Sequence, residues 1–557
     1  MLYYALITIT LVVLLLFISV KRWQKRQQKL LTLLRSQWGP PKTDYFSFAL
    51  IEKYTQALHQ QANPAISAQT TADLDLNDMF SFIDRTTSMP GQQYLYHLIT
   101  HPDHSAEALM ERDQQADFFT SEVAIREEIQ QLLSTLNNED AYFIAGLLNQ
   151  NLVYRPWYIQ WIPASVMVVI TMLLLSPLYP ALLVWLFIPV ALHLFLHLKN
   201  KSNLFQFTRS FPQLNQLIKV AGKLNNYAIP FNKQQAQQSV SSLRSFQQKF
   251  TILNLGQLPP GAIRDEMSQL TGYLFELLRA VFLIELRTFF SLIKELENKQ
   301  ADILALYQLV GQVDTALFIA SLRAGEQAVC KPHFLAPSKT IRATGIYHPL
   351  IPNCTPNSIH IQQKSILLTG SNMSGKSTFL RTLALNALLA QTLYTCFAAE
   401  MEIPFTQLHS SIRIDDSLQE GKSYYFEEVN IMAGLVKEAK AEKQNLFILD
   451  EVFKGTNTIE RIAAGKAILS YLNQHNNIVL VATHDIELTD MLAEEYDLYH
   501  FSETIQNNQL HFDHLIKTGP LTTRNAIKIL ELTGYPASII SEANKISHNM
   551  VQQKTNG

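Results

Sequence analysis

Two stretches of this chain carry no Asp, Glu, Lys or Arg over a length that can cross a lipid bilayer, and they restrict how the rest can fold. Residues 1–20 (MLYYALITITLVVLLLFISV) form the first; residues 157–198 form the second, with Pro177 and Pro180 flanking Leu178 and Tyr179 near its middle. A helix needs about 20 apolar residues to cross a hydrocarbon core roughly 30 Å thick. The first stretch therefore predicts a transmembrane helix, the second a transmembrane hairpin of two spans and a tight turn. A cleaved signal peptide would carry its positive charges ahead of the apolar run, whereas KRWQKRQQK, residues 21–29, follows it. Buried helices of a soluble core are the competing reading of both stretches. Trp157, Tyr158, Trp161 and Trp185 suit interfacial aromatic positions. Lys21 to Lys29, Arg155, Lys199 and Lys201 all fall on one side of the spans, which the positive-inside rule makes the cytoplasm. The expectation is a multi-pass protein of the cytoplasmic (inner) membrane, its amino terminus outside and its remaining mass within reach of ATP.

Composition narrows the function classes. Charged residues make up 17% of the 557, below the roughly 25% of an ordinary soluble chain. With 45 Lys and Arg against 47 Asp and Glu, the net charge of −2 excludes a wholly basic nucleic-acid coat, so any such binding must come from a local patch. Cys330, Cys354 and Cys396 are odd in number and lack CxxC spacing, which disfavours a disulfide framework and a structural zinc site. They read as reduced thiols.

Along the chain, residues 30–75 are polar, Gln-rich and weakly periodic, and 21–74 reads as a linker. Apolar spacings of three and four over 76–150, and again over 203–330, predict helices. Residues 75–156 and 199–335 are thus expected to form two parts of an all-α domain, separated by the hairpin at 157–198. Residues 340–545 change character. SILLTG (365–370), LFILD (446–450) and IVLVATH (478–484) alternate with helical stretches, the pattern of an α/β domain with a mainly parallel sheet. Residues 546–557 read as a tail, frayed and polar from 548.

The α/β region holds the chemistry. GSNMSGKST, comprising Gly370, Ser371, Asn372, Met373, Ser374, Gly375, Lys376, Ser377 and Thr378, fits GxxxxGK[ST] directly after SILLT and before FLRTLALNALLAQ. In that context backbone N–H groups and a helix N-terminus cradle phosphates, Lys376 neutralises the β and γ charges, and the Ser377 hydroxyl ligates Mg2+. LFILDE ends a strand on two carboxylates, expected as Asp450 for Mg2+ and Glu451 for the attacking water. IVLVATH ends on His484, placed to sense the γ-phosphate. Strand, P-loop, paired acids and strand-end histidine in this order are similar to the transporter and repair-clamp (ABC-type) ATPases, which close around nucleotide as dimers.

A narrower resemblance follows from the wording of the motifs. GSNMSGKST, DEVFKGTNT (450–458) and THDIELT (483–489) resemble the P-loop, Walker B and Thr-His switch of the MutS family of mismatch-repair ATPases, with Ser371 where that family usually has Pro. DDSLQEGKSYYFEEV (415–429) matches the family's signature segment; the resemblance implies that Ser423 reaches the nucleotide of the opposite subunit and that Glu428 is the matching acid. Tyr424, Tyr425 and Phe426 depart from the usual Thr-Phe-Met. FSFIDRTTSMPGQQYLYHLITHP (80–102) resembles the entry to the family's helical core domain, with Asp84, Thr86 and Gly91 matching and Gln93 where Arg is common. QLVGQVDTALFIASLRAGEQAVCKPHF (308–334) resembles the last core helix, and TGIYHPLI (344–351) the turn before the first ATPase strand. His514 stands where the family sets a histidine against adenine, although the usual SYG after it is TTRNAI here. The second adenine-sandwiching aromatic is replaced near Cys354, with Tyr347 the nearest substitute.

The resemblance implies a membrane-anchored ATP hydrolase with core, lever and ATPase parts, using ATP and Mg2+, dimerising with itself and acting on mismatched or branched DNA. About 75 residues precede the core region, too few for mismatch-reading and connector domains, and 203–300 show no β-rich stretch resembling a DNA clamp. The alternative expectation is a mechanical or signalling ATPase that drives a membrane partner without DNA. A companion protein supplying recognition fits either.

Overall fold

The first helix, Leu2–Ser36, does not end where the charges begin: it runs 35 residues without a break, past Val20 and through the basic stretch. This structure is a computed structural model and describes residues 2–58, 65–148, 156–253, 278, 281–326, 328–371, 373–413, 424–440, 443–506, 509–521, 527, 530–531 and 534–555. By internal contacts the chain divides into two units. The first comprises Met1–Ala62, Asp84–Leu98 and Asp113–Gly325; the second comprises Asn63–Ile83, Ile99–Arg112 and Glu326–Gly557.

The first unit is helical. Among the described residues three helices are long and apolar enough to cross a membrane by length and composition, and burial separates them. Gln300–Gly325 is 83% buried within the protein, whereas Trp157–Leu175 and Leu182–Lys199 are 17% and 6% buried. Gln300–Gly325 spends its apolar surface on the core; Trp157, Val184, Trp185 and Phe187 leave theirs exposed. The second arm of the hairpin also continues past residue 198, within one helix Phe187–Leu224. The stretch 21–74 is more than a linker, because it contributes buried Ile51 and Tyr54 to this unit, Tyr54 stacking on Tyr307 of the core helix at 4.7 Å.

Polar ties close the helical core. Buried Asp84 accepts bonds from Lys42 Nζ (2.8 Å), Gln92 Nε2 (2.7 Å) and both the N–H and hydroxyl of Thr86. Asp314 accepts from the N–H groups of Thr87 and Ser88, both at 2.8 Å, which fastens the turn before the helix Met89–Thr100. Gly91 lies where a Cβ would stand 2.0 Å from Asp314 Oδ2, so no larger residue permits this approach. Gln93 donates to Leu50 O at 2.6 Å and accepts from the Tyr307 hydroxyl, a neutral bridge at the position read against Arg.

The second unit holds the strands. In chain order these are β1 (His333–Leu335), β2 (Thr340–Ile346), β3 (Asn357–Gln362), β4 (Ser365–Thr369), β5 (Glu400–Pro404), β6 (Gln407–Ser411), β7 (Asn445–Asp450), β8 (Ile478–Ala482), β9 (Tyr496–His500), β10 (Glu503–Gln506), β11 (Gln509–Phe512) and β12 (Lys517–Thr518). The sheets are mixed. Six strands lie in the order β12-β9-β4-β8-β7-β6, with β12 antiparallel to β9 and the other pairs parallel. Four more lie in the order β1-β5-β2-β3, where only β1 and β5 run parallel. Strands β4 and β8 are buried at every position, which explains their uninterrupted apolar runs. Leu367, Phe447, Leu449, Val479 and Val481 pack against Met432, Leu435, Leu469, Leu472, Leu488 and Leu492 of the covering helices.

Three boundaries differ from the sequence reading. Residues 75–83 belong with the strands, because buried Asp73 accepts from Ser410 Oγ, Ile412 N and Arg413 N (2.6, 3.0 and 2.8 Å) and Asp75 pairs with Arg413. The stretch 199–335, read as helical, ends in β1. Residues from 546, read as a tail, continue the helix Ala537–Thr555.

Candidate functional site

Strand β4 delivers a loop that turns into the helix Lys376–Leu393, and the loop is bent by backbone conformations that few residues adopt. Gly375 has φ +117° and Met373 φ +69°. The loop's own carbonyls hold the lysine: Lys376 Nζ donates to Gly370 O at 2.8 Å and Ser371 O at 3.0 Å. The side chain is buried, and desolvation lowers its pKa against the opposing pull of Asp450 and Glu451. Ser371 Oγ donates to Glu503 Oε2 at 2.6 Å.

Parallel registry brings the ends of β7 and β8 to the same place. Asp450 pairs with Ala482, and the Glu451 N–H donates to the Ala482 carbonyl at 2.9 Å, so the two acids and the histidine leave adjacent strand ends together. Ser377 Oγ donates to Asp450 Oδ2. Glu451, at φ +56°, meets His484 Nε2 and Lys454 Nζ, each 3.1 Å from a carboxylate oxygen. The His484 hydrogen bond, reinforced by Lys454, pulls the Glu451 pKa down to about 2, so the group is a carboxylate at neutral pH. His484 Nε2 also lies 3.4 Å from Lys376 Nζ.

A cavity of about 450 Å³ opens over this cluster, lined among others by Ser371, Met373, Lys376, Ser377, Asp450 and Glu451. His514 lines it too, Nδ1 3.0 Å from Ser374 O, with Phe512 stacked behind at 5.9 Å. Cys354 and Ile351 line the facing wall; Tyr347 does not, and packs edge-on against Phe397 instead. The residues expected to act on phosphate, Mg2+ and water are therefore together. Ser423 and Asn372 lie outside the described residues. A hydroxyl beside a carboxylate is a hard-oxygen pair suited to Mg2+, so Ser377 and Asp450 fit that ion.

Two supports were not read as such from the sequence. Buried Glu428 accepts from the N–H groups of Lys454 at 2.9 Å and Gly455 at 3.0 Å, fixing the loop behind Glu451. Arg461 and Asp485 pair at 2.6 Å, tying the helix Thr458–Leu472 to the residue after His484. Their charge signs were visible, but their partners lie 26 and 24 residues away.

Comparison with known proteins places this geometry. Residues 366–551 match the family described as MutS domain V. The chain is 30% identical over 270 residues to the DNA mismatch repair protein MutS of Thermus thermophilus, covering 48% of this chain and 33% of that protein. It is 31% identical over 211 residues to the protein of that name from Thermus aquaticus, covering 37% and 26%. With that of Pseudothermotoga lettingae it shares 32% over 265 residues, covering 45% and 32%. The match thus spans about a quarter to a third of the length of these relatives. The matched domain begins in β4 and encompasses loop, paired acids and strand-end histidine, so the similarity to the MutS family lies in residues 366–551, which match its domain V.

Proposed function

We propose that this chain is a membrane-anchored P-loop ATP hydrolase that closes as a homodimer around ATP and couples hydrolysis to DNA binding. The observation that carries the enzymatic part is the meeting of Lys376, Ser377, Asp450, Glu451 and His484 on three neighbouring ends of one sheet, at a cavity of nucleotide-binding size. On nucleotide entry Lys376 exchanges the loop carbonyls for the β and γ oxygens. The loop N–H groups and the start of the helix Lys376–Leu393 face the phosphate chain, and His514 borders the adenine. Ser377 and Asp450 would hold Mg2+, which supplies charge neutralisation on the phosphates. Glu451, held as a carboxylate by His484 and Lys454, orients a water in line with the γ-phosphate. Water oxygen bonds to phosphorus, the β–γ bridge bond breaks, and ADP and phosphate leave. Ser423 is assigned to the partner's nucleotide.

Anchoring rests on the unbroken apolar start of Leu2–Ser36 and on the exposed arms Trp157–Leu175 and Leu182–Lys199. DNA rests on the names of the relatives, which are DNA mismatch repair proteins. A second reading, in which the same switch drives a membrane partner without DNA, is favoured by that exposed hairpin. The deciding experiment records ATP hydrolysis by the full chain in detergent, with and without homoduplex, mismatched and branched DNA at two salt concentrations, with Lys376→Ala as blank. Stimulation that disappears at high salt supports the DNA reading, because phosphate contacts weaken steeply as salt rises. Hydrolysis indifferent to every DNA supports the second reading, and none above the blank refutes both.

A further inference from the structure

At the opposite ends of the same strands, where β6, β7 and β8 begin, a second cavity of about 880 Å³ opens. Its wall includes His104, Phe405, Thr406, Lys440, Lys443 and Gln444. Two buried polar atoms of its lining residues have no partner among the described residues: Thr406 Oγ1 and Gln444 Oε1. Thr406 is 2% exposed, and its N–H is already spent on Gln391 Oε1 at 2.7 Å. The Gln444 amide is fixed by its nitrogen, which donates to Ser338 O at 2.6 Å and leaves the oxygen as an acceptor wanting a donor. Buried polar groups are ordinarily satisfied, so a bare one marks a place where a partner is wanting.

The rest of the wall says what would satisfy them. Phe405 stacks on Phe334 with ring planes 2° apart and meets the His104 ring edge-on at 6.2 Å, which makes a rigid aromatic wall. Among the described lining residues Lys440 and Lys443 stand against one acid, Asp103, a balance that favours an anion. A ligand meeting all three demands carries a flat ring, an N–H donor for Gln444 and an anionic group for the lysines. We propose that this cavity is a second binding site for a nucleoside monophosphate unit, free or at the end of a strand: the ring stacks on Phe405 with its edge toward the perpendicular His104 ring, its amino group donates to Gln444 Oε1, and the phosphate reaches Lys440 and Lys443. The site is independent of hydrolysis at the P-loop.

The test is equilibrium dialysis of labelled AMP against the full chain in detergent, comparing wild type, Lys376→Ala and the double variant Lys440→Glu/Lys443→Glu. Both lysines are exposed and outside the P-loop cluster, so the double variant should fold and keep Mg·ATP binding. The expected result is one AMP bound equally by wild type and Lys376→Ala, with affinity falling about tenfold or more in the double variant as two charge-assisted contacts are reversed. Gln444→Leu should also weaken AMP but leave binding of inorganic phosphate unchanged. Competition by 5′-phosphorylated tetradeoxyadenylate as strong as by AMP assigns the strand end; its failure to compete assigns the free nucleotide. AMP binding lost in Lys376→Ala and kept in the double variant would overturn the proposal, as would no binding at all.

Discussion

His484 Nε2 stands between Glu451 and Lys376, 3.1 Å from the carboxylate and 3.4 Å from the ammonium. A carboxylate held in this way is charged and aimed but weakly basic, since its pKa sits near 2. In the proposed mechanism its contribution is to orient water rather than to capture a proton in the ground state. Glu451→Gln keeps the shape and removes the charge. Single-turnover hydrolysis should fall about 100-fold or more, the range of a positioned acid–base group, while ATP still binds and a dimer accumulates by size exclusion. Unchanged hydrolysis would remove Glu451 from the mechanism.

Lys376 is folded back on Gly370 O and Ser371 O, so its ammonium is already desolvated before any phosphate arrives. Lys376→Ala removes charge-assisted bonds worth about 1.5–3 kcal/mol each. ATP affinity should drop by at least roughly tenfold, whereas the thermal unfolding midpoint without nucleotide should change little. Equal ATP titrations for variant and wild type would contradict the P-loop assignment.

In the proposed mechanism Glu428 is a positioning residue: it holds two N–H groups of the loop that follows Glu451. Glu428→Ala should leave those donors bare, at a cost of about 1–3 kcal/mol. The expected pattern is a lower kcat with little change in KM for ATP. Glu428→Gln, which can still accept one bond, should recover part of kcat. A variant that loses affinity and turnover in equal measure would point to general unfolding instead.

How far the sequence could be read depends on how local each feature is. The loop, the paired acids and His484 were legible because each follows a short apolar strand within a few residues, and parallel registry then brings them together. Glu428, Lys454 and Arg461 were within quoted or adjacent motifs, but their bonds join separate helices and loops, which no spacing rule reports. The end of the weakly periodic stretch 30–75 was illegible for the same reason: Asp73 and Asp75 fasten it to Arg413, about 340 residues later, rather than a continuous apolar face. Gln300–Gly325 has the length and composition of a membrane span, and only its neighbours make it core.

Asp314 supplies the clearest pH signature. Burial is the dominant cause raising its pKa from 3.8 to about 6, and the bonds from Ser88 and Thr87 offset only part of that cost. A carboxyl whose folded pKa exceeds its unfolded value favours folding most when protonated. Its contribution therefore declines as pH rises from about 4 to about 6 and is flat above that, with a span of about 3 kcal/mol for a shift of roughly two units. The direct check is difference infrared spectroscopy of the full chain between pH 4 and 8. A protonated-carboxyl band should disappear with a midpoint near 6 and be missing from Asp314→Asn. That variant places an amide among three donors and should be less stable at pH 7 by about 1–3 kcal/mol. A midpoint at the ordinary carboxylate value would mean that water reaches Asp314 and that the clasp on Thr87 and Ser88 is open in solution.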